Sequence, residues 1–205
     1  MNNKTQLRAV GFMLFLAGFI IMMGIITGET LYPTGYNTFK NDISDLGGTR
    51  PPNSIVYEPS ATIFNTTMLI SGIMIFISSI FIHQYFKKWL FSIPFTIFGL
   101  GVFGVGVFPG HVVFWHGIFA LITFTFGSIS AIAAYKIVPP PFRYIGICIG
   151  AMSLIFLYGA NIFIPWIGSG GTERWVAYPV VFWLIGFGGF LLGLNVENKI
   201  VTMQH

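Results

Sequence analysis

Two aspartates three residues apart, Asp42 and Asp45, flank Ser44 in the stretch NDISDLGGTR. His111 and His116 follow a Pro-Gly pair in PGHVVFWH, and Glu173 and Arg174 stand together in TERW. These residue types serve acid–base catalysis, metal binding and headgroup recognition. A zinc-like ion takes His and carboxylate ligands and keeps one position for water; His111, His116, Asp42 and Glu173 supply that inventory. A serine nucleophile would be Ser44, with His116 as its base and Asp45 as a candidate partner for the ring. A non-catalytic use of the same set is a polar cap in which Asp42, Asp45, Arg50, His116, Glu173 and Arg174 hold a lipid headgroup or a membrane partner.

Structural duties compete for each of these residues. Five residues apart, His111 and His116 stand about 140° apart on a helix, so they do not form a one-face ligand pair. No G-x-S-x-G elbow surrounds Ser44, and DISDLG reads as a short lid helix capped by Asp42 or Ser44 and stopped by Gly47-Gly48. Thr172 is the expected N-cap of a helix that Glu173 and Arg174 open, with Glu173 paired to nearby bases. Arg174, beside Trp175, is expected to reach a lipid phosphate. His116 falls about one turn inside an apolar span, where an ionisable group demands a partner; Asp45, Ser44 and Glu173 are the candidates. His83 reads as an inner-interface residue and His205 as a terminal one.

The elements that must position these groups follow from composition. Of 205 residues, 55% are hydrophobic, 18% aromatic and only 8% charged, and the mean hydropathy is +0.80. A soluble domain carries about a quarter of its residues as charges, so this chain has too little polar surface to cover a water-exposed globule. The expectation is an all-α polytopic membrane bundle, and the same arithmetic excludes a disordered chain and a nucleic-acid binder. The single cysteine, Cys148, permits neither an intramolecular disulfide nor a cysteine metal cluster.

A bilayer core of about 30 Å takes roughly 20 apolar residues per helix. Six such segments stand between polar or Pro-rich breaks, at about 9–27, 61–84, 89–108, 112–135, 144–164 and 175–195, and the whole chain 1–205 reads as one integral membrane domain. The first is read as an uncleaved helix, ending at Gly28-Glu29, because its run exceeds a signal h-region. With the N-terminus inside, seven bases (Lys4, Arg8, Lys87, Lys88, Lys136, Arg143 and Lys199) face the cytoplasm and three (Lys40, Arg50 and Arg174) lie outside. This predicts N-in, C-in topology in the cell membrane. Of the acids only Glu197 falls inside. The connection from Glu29 to Ser60 is long and rich in Tyr, Leu and Ile, so it is expected to be an ordered outer lid over the helix ends. FPGHV and GSGGTER are expected to form shorter outer turns. Glycines within the spans (Gly99, Gly101, Gly104 and Gly106; Gly186, Gly189 and Gly193) predict close helix approach.

The order of the motifs carries a resemblance. DISDLG (Asp42 to Gly47) in the first outer loop, then FP and HG (Phe108, Pro109, His116, Gly117), then ERW (Glu173 to Trp175) resembles the prokaryotic six-helix membrane family catalogued as domain-of-unknown-function family 998. A more distant similarity is to the Frag1/DRAM/Sfk1 group of six-span proteins. The resemblance covers almost the whole chain and implies the six-helix architecture but no activity. Matching motif positions are Asp42, Ser44, Asp45, Pro109, His116, Glu173 and Arg174. One departure is that Gly110-His111 follows the FP pair where members often have an acidic residue.

Two function classes follow. The first is a membrane protein that binds lipid or a membrane protein partner through the outer polar cluster; the second is a membrane-embedded, metal-assisted hydrolase or transferase acting on lipid. The first is preferred, because no local motif fixes the geometry of a nucleophile, base and metal. The sequence names no cofactor.

Overall fold

The computed structural model describes residues 3–33, 35–52 and 54–194. Asn195, Glu197, Lys199 and His205 lie outside the described residues. Among the described residues there are six α-helices: α1 (Asn3–Leu31), α2 (Ser60–Phe86), α3 (Trp89–Val107), α4 (Val113–Ala133), α5 (Phe142–Tyr158) and α6 (Ala160–Gly193). Each packs on the next in sequence, and α6 returns to α1, so the helices close into a ring. Helices are what an apolar chain must form in lipid, where backbone groups find no water to bond. Five of the six are long and apolar enough to cross a membrane, which establishes a multi-pass helical membrane bundle.

The boundaries correct three expectations. First, α1 continues past Gly28-Glu29 to Leu31. Second, the fifth helix stops at Tyr158, short of 164; its 17 residues rise about 25 Å, less than a bilayer core. Third, GSGGTER is not an open turn. It lies within α6, which is broken only at Gly168 (φ 74°, ψ 171°). Contacts of Phe142 with Phe190, Ser153 with Val176 and Phe156 with Trp175 show α5 antiparallel to the part of α6 beyond Gly168. The chain therefore reverses between Tyr158 and Trp175.

Glycine spacing on α3 explains how it fits between two neighbours. A Cβ at Gly99 or Gly106 would meet the α2 backbone near Phe76 and Leu69, whereas one at Gly101 or Gly104 would meet Thr123 or Phe119 of α4. Lipid offers no hydrophobic drive between helices, so this close approach is what binds them. Gly189 and Gly193 do not share that role: both face open space. At the end of the bundle holding Lys87, the interior is aromatic, with the rings of Phe91, Phe95, Trp183 and Phe187 packed stacked, tilted or edge-on at centroid distances of 5.0–6.3 Å. His83 sits at this end, its Nδ1 3.1 Å from the Ser92 hydroxyl and its ring against Trp89. The opposite end carries the connection between α1 and α2, which folds back over the helix ends.

Candidate functional site

The lid is built around one 3-10 turn, Ile43–Leu46, with Asp42 at its N-cap and Gly47 at its C-cap. The Asp45 carboxylate accepts the Asp42 amide at 3.0 Å and the Asn41 side-chain amide at 3.2 Å. Asp42 and Asp45 thus organise the lid itself. Burial raises the Asp45 carboxyl above its usual range, against the lowering effect of the Asn41 bond. Leu46 is wholly buried, the Ser60 hydroxyl donates to its carbonyl, and Asn65 donates to the Gly47 carbonyl, so the lid is seated on α2. Tyr32 packs on both Tyr36 and Tyr57, joining the two ends of the connection.

Arg174 holds the other side. Its Nη2 donates to Glu29 at 2.5 Å and to the Tyr36 hydroxyl at 2.7 Å; its Nη1 donates to the carbonyls of Asn41 at 3.0 Å, Thr38 at 3.2 Å and Gly170 at 2.8 Å. With a side chain only 12% exposed, it is consumed by α1, the lid and α6. Both terminal nitrogens of the planar fork are thus committed to groups of the chain itself, while the buried Nε has no hydrogen-bond partner. Burial pushes the Tyr36 hydroxyl well above its usual range despite the guanidinium beside it, so it stays a neutral donor to the Asp42 carbonyl. Two small residues permit the approach: Gly170 donates its amide to the Phe39 carbonyl, and Ser169 bonds the Lys40 carbonyl. Thr172 is not an N-cap; its hydroxyl donates back to the Gly168 carbonyl at 2.7 Å.

Beneath the lid lies a cavity of about 70 Å³ whose walls are almost entirely apolar. Ile21, Met68, Phe98, Val102, Phe124 and Val180 line it, drawn from α1, α2, α3, α4 and α6, with Ile43 of the lid. Its polar members are Ser44, His116, Thr123 and Glu173. Thr123 turns its hydroxyl to the Phe119 carbonyl. Glu173 accepts the Ile43 amide, with the Ser44 amide contributing. The expectation that it pairs with bases is corrected, because the lid's own backbone donors occupy the carboxylate.

His116 departs from expectation too. Only 2% exposed, it donates from Nδ1 to the Phe108 carbonyl at 2.7 Å, not to Asp45, Ser44 or Glu173. A carbonyl only accepts, so the ring proton is on Nδ1, and Nε2 is buried with no hydrogen-bond partner. His111 is exposed in the turn before α4, against Gly48 of the lid, and is not among the residues that line the cavity. Among the described residues no group of three or more His, Cys, Asp or Glu side chains is placed to hold a metal ion. The proposed ligands His111, His116, Asp42 and Glu173 do not converge: Asp42 turns one oxygen to Arg50 at 3.4 Å, and His111 is separated from His116 by the turn. Arg50, 59% exposed, pairs at the rim and lies outside the cavity wall.

The structure thus brings Ser44, His116 and Glu173 to one cavity, puts Asp42 and Asp45 in its roof, and sets Arg174 as the roof's clamp. Residues 15–189, which include every one of these groups, match the family described as protein of unknown function (DUF998). The chain belongs to this family. No curated protein and no solved structure matches the chain. Family membership assigns none of these residues a role. Two contributors escaped the sequence reading, the Tyr36 hydroxyl and the Phe108 carbonyl, and neither carried a signal. Glu29, one of the acids expected on the outer side, pairs with Arg174.

Proposed function

We propose that the chain is a binding protein of the cell membrane that takes an apolar molecule, or one end of a membrane lipid, into the lidded cavity. The observation that carries this is the cavity itself: an apolar space under an ordered roof, with one unpartnered, buried nitrogen, His116 Nε2, in its wall. Small-molecule sites are concave and mostly apolar, with a few placed polar groups, and this cavity has that character. At about 70 Å³ it is roughly half the ~150 Å³ engineered cavity that admits benzene, so in this closed form it suits a short chain or the end of a longer one. Catalysis draws less support, because Ser44 and His116 are not bonded to each other and the histidine is oriented by a backbone carbonyl.

The test is mass spectrometry of small molecules that copurify with the protein in mild detergent. Wild type is expected to carry a stoichiometric apolar species, and Ala120→Leu, which pushes a larger side chain into the cavity, is expected to lose most of it. Identical content in both proteins would show that the cavity is not the binding place.

The orientation belongs to the same proposal. Arg8, Lys87, Lys88, Lys136 and Arg143 gather at the end away from the lid, where basic residues favour the cytoplasm, so the lid faces outward. In a Cys148→Ser background, Lys40→Cys is expected to react with an impermeant maleimide added to intact cells, because residue 40 is exposed on the lid. Labelling only after the cells are opened would invert the topology.

A further inference from the structure

We infer that the polar end of the molecule bound under the lid is an uncharged hydroxyl, donated to His116 Nε2. This rests on the binding reading above and adds the chemical class of ligand. With the Nδ1 proton committed to the Phe108 carbonyl at 2.7 Å, a neutral ring offers the cavity a lone pair and nothing else. An imidazolium would instead leave a charged N–H without an acceptor in an apolar space, the costlier arrangement. The second polar group, Glu173, is already engaged by lid amides. The unpartnered buried oxygens nearest the roof, Asp42 Oδ1 and Asn65 Oδ1, are acceptors as well.

Donors are scarce at this end. Arg174 spends both terminal nitrogens on Glu29, Tyr36 and three carbonyls; its buried Nε has no partner, but the residue is not part of the cavity wall, and Arg50 lies at the rim on Asp42. A phosphate or carboxylate entering the cavity would therefore meet a nitrogen lone pair and an apolar wall, with no cation among the lining residues. An alkylammonium brings a charge and three N–H donors, and among the lining residues the one buried, unpartnered acceptor is His116 Nε2. A hydroxyl needs one acceptor for its proton, and His116 Nε2 supplies one. The apolar remainder of the ligand then lies along Phe98, Val102, Phe124 and Val180.

The experiment uses photoreactive octyl probes carrying a diazirine at one chain position and ending in a hydroxyl, methyl ether, carboxylate, phosphate or amine. Each is incubated with the full-length protein in detergent, and crosslinked peptides are read by mass spectrometry. Octanol is expected to label cavity peptides from α3, α4 and α6 about tenfold more than its methyl ether, since the ether leaves Nε2 unpaired. His116→Phe is expected to label equally with both, the apolar contribution remaining. The alcohol–ether comparison on wild type stands without the variant should that variant fail to fold. Equal labelling by alcohol and ether in wild type, or stronger labelling by the carboxylate, phosphate or amine, would overturn the hydroxyl assignment while leaving an apolar binding cavity. Absence of cavity labelling by every probe would remove the binding proposal itself.

Discussion

Replacing Arg174 with alanine is expected to lower the melting temperature in detergent by about 5–15 °C and to open the lid to protease between residues 33 and 58. The side chain bonds three separate parts of the chain: Glu29 at the end of α1, Tyr36, Thr38 and Asn41 in the lid, and Gly170 in α6. Alanine would leave the Glu29 carboxylate half-buried and unpaired, and three lid and helix carbonyls without their donor. Breaking a buried pair from one side costs roughly 3–5 kcal/mol. Because the partners are 12% and 23% exposed, screening trims this to about 2–4 kcal/mol, and each kcal/mol moves the midpoint of a chain this size by about 2–4 °C. Arg174→Lys keeps the charge but not the planar fork, so it should recover the Glu29 pair and only part of the carbonyl contacts. Wild-type melting and an uncut lid in Arg174→Ala would show that the tyrosines and the α2 contacts hold the lid without the arginine.

Gly168→Ala is expected to be comparably severe, at about 2–4 kcal/mol, for a backbone reason. Gly168 sits at φ 74° and ψ 171°, a region open in practice only to glycine, with a cost of about 1–3 kcal/mol for other residues. A Cβ there would also run into the Phe39 carbonyl of the lid, and backbone cannot swing aside as a flexible side chain does. The variant should therefore both loosen the α5–α6 reversal and lift the lid segment that Ser169, Gly170 and Arg174 hold. Gly189→Ala is the matched control. It adds the same methyl in the same helix, where nothing lies within 4 Å, and helix propensity alone predicts no loss. A Gly168→Ala protein as stable as Gly189→Ala would mean that the chain reverses by some other conformation.

Several features were legible without coordinates because they depend on local composition. The scarcity of charge and the long apolar segments specify membrane helices, since an unpaired backbone in lipid leaves no other choice. The aromatic and aliphatic residues between Glu29 and Ser60 specify an ordered lid, because leaving them in water would be unfavourable. DISDLG specifies a capped turn, as Asp42 at the N-cap and Gly47 at the C-cap bear out. The meeting of Asp42, Ser44 and Asp45 with His116 and Glu173 at one end of the bundle followed from alternating helix direction.

Other features belong to tertiary structure alone. Arg174 finds Glu29 across 145 positions, and no window of sequence relates two residues so far apart. His116 has a backbone carbonyl as its partner, and every residue has a carbonyl, so residue types could not single out Phe108. The break at Gly168 was hidden among the three glycines of GSGG, because only the approach of the Phe39 carbonyl tells which of them must take a conformation closed to other residues. Sequence determined which segments enter the membrane and which polar groups gather at its lid-bearing end, since hydropathy acts locally. The ring of helices decided which of those groups are spent on one another and which atom, His116 Nε2, is left unpartnered in a residue of the apolar cavity wall, since hydrogen-bond partners are chosen by distance and direction in three dimensions.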